Sequence, residues 1–250
     1  MTDTVNSSTT HKNTKQYWAV IPAAGVGKRM QADRPKQYLQ IENKTVLEHT
    51  LKRLLSHKHI CGAVVSISEG DEYWKDLRFK SDKPVLVASG GAERSDSVLN
   101  ALLCLQETCT QQNISVDTVW ALVHDAARPC VRVEDMGVLI DKASQDEEGG
   151  LLALPVRDTM KRDNDQGQIE RTVDREGLWH ALTPQMFRLD LLIEALQHAR
   201  YKNLAITDDA SAMELAGYHP QLIEAHEDNI KITRAFDLEL AALYLQYQNK

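Results

Sequence analysis

Three cations follow closely on a loop of small residues near the start of the chain. Ala23-Ala24-Gly25-Val26-Gly27 is succeeded by Lys28 and Arg29, and Lys36 comes directly after Pro35. Small residues let a backbone approach a ligand closely, and successive N–H groups in a tight loop form an anion-binding concavity. With cations beside it, such a stretch suits a polyphosphate. The two commonest phosphate loops are excluded. A P-loop needs Gly, four residues, then Gly-Lys-Ser/Thr, but Pro22 stands at the first Gly and Arg29 follows Lys28. The dinucleotide fingerprint fails at Met30, where its third Gly belongs. Taken alone, the loop could equally be a strand-to-helix turn with surface lysines.

Elements must hold this loop, and the apolar runs supply them. Trp18–Ile21, Gly62–Ser68, Pro84–Ala88, Thr118–Val123 and Gly150–Val156 read as buried strands. Between them, Thr45–Ser56, Glu93–Cys109 and Val133–Ser144 carry apolar residues at helical spacing. Nearly continuous apolar strands alternating with helices imply an α/β fold, a parallel sheet covered on both faces. In open sheets of this kind ligands sit beyond the carboxyl ends of the strands. Gly25-Gly27, Gly90-Gly91 and Asp125–Arg128 each follow a strand, so all three are expected on one edge. Further on, Trp179–Phe187 rejoins the core, Leu189–Arg200 is helical, and Asp208–Ala216 is a short helix with Thr207 as its N-cap. Gln221–Ala225 and Asn229–Thr233 are strand-like, and Ala235–Tyr247 is a closing amphipathic helix. His124, Trp179 and His180 read as structural residues packed inside.

Residues 157–177 break the rhythm. Asp158–Arg162, a polar turn and Ile169–Val173 form a hairpin with too few apolar residues for its own core. It must lean on something: a second copy of the protein, or the face of its own domain.

The whole chain sets bounds. Its 250 residues suit one domain, read as 17–250 with the arm at about 157–177, behind a polar leader over 1–16 expected to be disordered. A net charge of −7 argues against a nucleic-acid partner, so clustered cations carry the information. The four cysteines form no C-x-x-C pair and no metal spacing with the nine histidines, as in a reduced cytoplasmic protein. No run is long enough to span a membrane.

Taken in order, PAAGVGKRM with PKQYL, GGAERSDSV, VHDAARP, PVRDTMKR, TVDREGLWHALTPQ, ITDDASAMELAG and DNIKIT resemble the 2-C-methyl-D-erythritol 4-phosphate cytidylyltransferase family. The resemblance runs from about Trp18 to the C-terminus. It implies a three-layer Rossmann-like nucleotidyltransferase fold with a mostly parallel sheet and a β-hairpin dimerisation arm. It also implies CTP and 2-C-methyl-D-erythritol 4-phosphate as substrates, with magnesium or another divalent cation. By the same resemblance Arg29 and Lys36 are the charge-stabilising catalytic pair, and Pro22, Ala23, Ala24, Gly25, Gly91, Arg94 and Ser97 contact the nucleotide. Arg94 could equally be a surface residue at a helix start. Asp125 becomes the metal and substrate carboxylate, since magnesium takes one or two carboxylates beside a triphosphate. Thr159, Arg175, Thr183 and Lys231 position the alditol phosphate, with Thr159 and Arg175 reaching a neighbouring subunit's site in a homodimer. By spacing alone Arg157, Arg162 and Arg171 would serve as well as Arg175. Ala92 and Ala101 depart from the family pattern near the base site. A relative acting on ribitol 5-phosphate and a catalytically silent nucleotide-binding regulator are the competing readings.

Overall fold

A computed structural model describes residues 14–25 and 34–249. Its spine is β1 (Gln16–Pro22), which starts one residue inside the expected leader; residues 1–13 of that leader lie outside the described residues. Side chains alternate across a strand. Trp18 and Val20 therefore enter the core on one face, and Ala19 and Ile21 the core on the other. The sheet continues through β4 (Ile60–Ile67), β5 (Val85–Ser89), β6 (Val119–Val123), β7 (Gly150–Pro155), β10 (Trp179–Arg188) and β11 (Gln221–Glu224). Between them in chain order lie two short pairs, β2 (Gln40–Ile41) with β3 (Lys44–Thr45), and β8 (Met160–Asp163) with β9 (Ile169–Val173). The strand order is β11-β7-β10-β6-β1-β4-β5. Among the described residues the pairings in this sheet are parallel except those of β10, which runs against both β6 and β7.

Helices cover both faces, giving three layers. On one side α2 (Arg94–Gln111), α4 (Leu189–Tyr201) and α5 (Asp209–Leu215) bury Val98, Leu102, Leu105, Leu192, Leu196 and Met213. On the other, α1 (Val46–Ser56) and α3 (Val133–Ala143) bury Leu47, Leu51, Leu54, Met136 and Leu139. The last helix, α6 (Ala235–Gln248), packs Ala241 and Leu245 on Ile41, Ala127 and Ile232. The start of α1 is a reciprocal capping box: Thr45 Oγ1 accepts from Glu48 N–H at 3.1 Å, and Glu48 accepts from Thr45 N–H at 2.7 Å.

Several local expectations change. The cap of α5 is Asp208, whose carboxylate accepts from Ser211 N–H at 3.0 Å; Thr207 lies one residue outside. Asn229–Thr233 is not a strand. Its buried Ile232 faces the α6 cluster, and the Ile232 N–H is pinned to the Ala127 carbonyl at 2.9 Å. Trp179 is half-buried and His180 exposed, because this end of β10 pairs with β7 alone and reaches past its pairing with β6, which covers only Gln185–Arg188. The hairpin stands away from the domain, with every residue from Lys161 to Thr172 exposed. It therefore does not lie flat on its own chain.

Candidate active site

The carboxyl ends of β1, β5 and β6 and the segment before α6 meet around a cavity of about 340 Å³. Pro22, Ala23, Ala24, Gly25, Lys36, Gly91, Arg94, Ser97, Asp125 and Lys231 all line it. Their spread from position 22 to 231 is bridged by the parallel topology, which sends each strand-end loop to the same edge. Arg29 lies outside the described residues.

The small-residue loop is held from behind. Buried Gln37 donates its amide N–H groups to the carbonyls of Ala23 at 2.6 Å and Gly25 at 3.0 Å, and Ser68 Oγ donates to the Ala24 carbonyl at 2.8 Å. Across a trans peptide the N–H points opposite to the C=O. These bonds therefore turn the Ala24 and Gly25 N–H groups away from Gln37 and Ser68. The Gly90-Gly91 loop presses against this one. A Cβ on Gly90 would stand 2.2 Å from Ala24 Cβ and 3.0 Å from the Ile67 carbonyl oxygen. Ser97, on the first turn of α2, accepts from Gly91 N–H at 3.0 Å and donates to the Glu93 carbonyl at 3.2 Å, which fixes the turn into the helix. Lys36 opens a short 3-10 turn (Lys36–Tyr38) after Pro35, and its Nζ donates to the Ile232 carbonyl at 3.1 Å.

The other half of the cavity is an ion network centred on buried Asp125. Asp125 Oδ1 meets Arg94 Nε at 3.2 Å, and its Oδ2 meets Lys231 Nζ at 2.9 Å and Arg128 Nε at 3.3 Å. Burial opposes ionisation of Asp125, but Arg94, Lys231 and Arg128 outweigh it and hold the carboxyl well below the usual range. Arg94 reaches a second carboxylate, Asp209, through Nη2 at 2.9 Å. Arg128 Nη1 donates to the Asn229 carbonyl at 2.7 Å, anchoring the segment that carries Lys231. With Lys36, four cations face Asp125, Asp209 and the cavity-lining Glu93, which leaves an excess of positive charge suited to an anionic ligand.

Thr183 does not line the cavity; it builds it. Gln185 pairs with Val123 across antiparallel β10 and β6, which places Thr183 opposite Asp125. The register with β7 shifts between Ala181 and Gln185, and such bulges re-aim side chains. Thr183 Oγ1 accepts from Asp125 N–H at 3.1 Å and lies 3.0 Å from His124 Nδ1, while Asn229 Nδ2 donates to the Thr183 carbonyl at 2.8 Å. Thr159 and Arg175 are exposed on the arm and outside this cavity; the Arg175 guanidinium donates to the Arg157 carbonyl.

Asp228, between His226 and Asn229, is committed to Arg132, whose Nη2 lies 2.7 Å away, and to Gln248 at 2.9 Å. Among the described residues no group of three or more His, Cys, Asp or Glu could hold a metal ion. Both oxygens of Asp125 already face cations. The donor set therefore fits a metal that enters on a polyphosphate, not one the protein holds alone.

Gln37, Arg128 and Asp209 hold the loop and the ion network of this cavity, and sequence reasoning gave none of them a role. Gln37 and Arg128 sit within quoted motifs beside Lys36 and Asp125, and Asp209 is the second acid of the TDDAS run.

Comparison with known proteins agrees with this architecture. The family model for 2-C-methyl-D-erythritol 4-phosphate cytidylyltransferase, IspD, matches residues 17–247. A relative of that name from Vibrio vulnificus (strain YJ016) is 55% identical over 227 residues, 91% of this chain and 93% of the relative. A crystal structure of 4-diphosphocytidyl-2C-methyl-D-erythritol synthase superposes with a TM-score of 0.79 at 40% identity, covering 92% of this chain and 100% of the other. The Francisella tularensis cytidylyltransferase gives 0.77 at 34% identity, covering 94% and 100%. By the family model and the identity and coverage of these relatives, the chain belongs to the 2-C-methyl-D-erythritol 4-phosphate cytidylyltransferase family.

Proposed function

We propose that this protein transfers CMP from CTP to 2-C-methyl-D-erythritol 4-phosphate, giving 4-diphosphocytidyl-2-C-methyl-D-erythritol and pyrophosphate for isoprenoid synthesis. The observation that carries it is the meeting, in one cavity, of the small-residue loop and Lys36 with Asp125 and Lys231. A phosphate oxygen of the alditol attacks the α-phosphorus in line, the new P–O bond forms, and the bond to the β-phosphate breaks. The attacking oxygen is already anionic, so no general base is needed, and the protein supplies position and neutralisation of growing charge. The loops at Ala23–Gly25 and Gly91 hold the nucleotide. Lys36 and Arg29 act on the α-phosphate and departing pyrophosphate, and Lys231 and Asp125 orient the alditol phosphate. Asp125 would help to hold a magnesium ion brought in on the triphosphate, and that ion would supply further neutralisation.

Pyrophosphate release with CTP and magnesium tests this. Strong preference for the methylerythritol substrate over ribitol 5-phosphate is expected. Preference for ribitol 5-phosphate would reassign the substrate, and CTP binding without turnover on either would favour a regulator.

The same reading makes the protein a homodimer through residues 157–177, with Thr159 and Arg175 serving the partner's site. The exposed, self-unsupported hairpin supports it. Arg175→Ala is expected to raise KM for the alditol phosphate. Mixing Arg175→Ala with Lys36→Ala protein is expected to restore part of the lost activity in hybrid dimers; no recovery despite confirmed subunit exchange would count against a shared site. A cytoplasmic location is supported by four cysteines without a disulfide, Cys61, Cys104, Cys109 and Cys130. No helix among the described residues is long and apolar enough to cross a membrane.

A further inference from the structure

We propose that Asp209 is a positioning residue for the cytidylyl transfer inferred above, acting through Arg94 to set the ion network around Asp125. Asp209 is 1% exposed and opens α5. Its neighbours on both sides are gripped by one buried side chain of β10. Gln185 Nε2 donates to Asp208 Oδ2 at 2.8 Å, and Gln185 Oε1 accepts from Ala210 N–H at 2.8 Å. Asp209 thereby becomes a fixed point between two clamps. Its Oδ2 accepts from Arg94 Nη2 at 2.9 Å, whereas Oδ1 is buried without a hydrogen-bond partner among the described residues.

That asymmetry carries the inference. A carboxylate buried for stability alone is a poor device, because desolvation offsets much of what its ion pair gains. Here half of the carboxylate is left unpaired, and the paired half points at a residue of the cavity wall. Arg94 is the first residue of α2 and stands between Asp209 and Asp125, meeting one through Nη2 and the other through Nε. Without the Asp209 charge, Arg94 would be drawn wholly to Asp125, where it competes with Lys231 and Arg128. Asp209 thus keeps Arg94 extended across the wall and leaves Asp125 shared with Lys231. Lysine, a compact point charge, cannot replace the two-sided guanidinium.

A double-mutant cycle decides the matter, since it isolates coupling from general damage. Asp209→Asn, Arg94→Ala and the double variant are compared by kcat/KM and, independently of turnover, by Kd for CTP. Asp209→Asn is expected to lower kcat/KM by about tenfold and weaken CTP about threefold in the native background, with changes under about twofold once Arg94 is alanine. Effects that multiply in the double variant, or an Asp209→Asn enzyme with native kinetics, would overturn the role. Arg94→Lys, which leaves both buried carboxylates in the chain, is expected to match the Asp209→Asn loss; native activity in it would also overturn the role, even if Asp209→Asn did not fold. A native protein inactive on both alditol phosphates would instead sink the reaction, and the cycle on CTP binding would still judge Asp209.

Discussion

Replacing Lys36 with alanine is expected to lower kcat on the order of a hundredfold or more, with a much smaller change in KM for CTP. A preorganised group aimed at charge that grows in the transition state is worth about 3–4 kcal/mol there and less in the ground state. The surroundings of Lys36 are built for preorganisation. Pro35 has φ −57°, which sets the chain into the Lys36–Tyr38 turn, and the next two side chains, Gln37 and Tyr38, are buried. Gln37 is bonded to the small-residue loop and Tyr38 donates to Asp71 Oδ2 at 2.8 Å, so the lysine stem leaves a fixed base. Arg29→Ala carries the same expectation from the resemblance of its motif. Steady-state pyrophosphate release measures both. Near-native kcat in either variant would remove that residue from the chemistry.

Acidification is expected to loosen the site from beneath through His124. Its Nε2 lies 2.9 Å from the Arg128 carbonyl, an acceptor, so Nε2 carries the proton and Nδ1 accepts from Thr183 Oγ1 at 3.0 Å. Thr183 can then accept from Asp125 N–H, and the chain of bonds closes with a neutral imidazole. Complete burial pushes the His124 pKa down from 6.5 to about 4. Between those values the unfolded chain binds the proton and the native one does not, so stability present above pH 6.5 is lost as pH falls toward 4. Between pH 7 and 4.5 the loss amounts to about 2–3 kcal/mol. Urea unfolding from pH 7 to 4.5 measures it, with His124→Gln as the reference. Subtracting the reference removes other groups in the window, including Asp209, whose carboxyl burial pushes up, in the opposite sense. A His124→Gln profile parallel to that of the native protein would refute the assignment.

The strands were legible because runs such as Val119–Val123 are apolar throughout, and only a two-sided buried sheet calls for that. Their direction was less so. Nothing in the composition of Trp179–Arg188 says that it runs against its neighbours, yet that reversal brings Thr183 to Asp125. Asn229–Thr233 alternates like a strand, but its apolar residues meet a helix; period alone cannot name the partner surface. In the site, the strand-end loops followed from topology. The ion network did not, because its pairings join distant positions: Arg94 and Asp209 are 115 residues apart. Sequence shows which residues can ionise, whereas burial and the β10 bulge decide which of them meet.

The contact between Gly90 and Ala24 has a consequence for how such a site can change. The two loops share room for one methyl group. Any substitution at position 90 is therefore constrained by the residue at position 24. A side chain gained at 90 must be surrendered at 24, and even then the Ile67 carbonyl, 3.0 Å from the new Cβ, would crowd it. Divergence toward another base therefore has an easier path through the rim, at positions such as Ala92, than through the pair that holds the loops together.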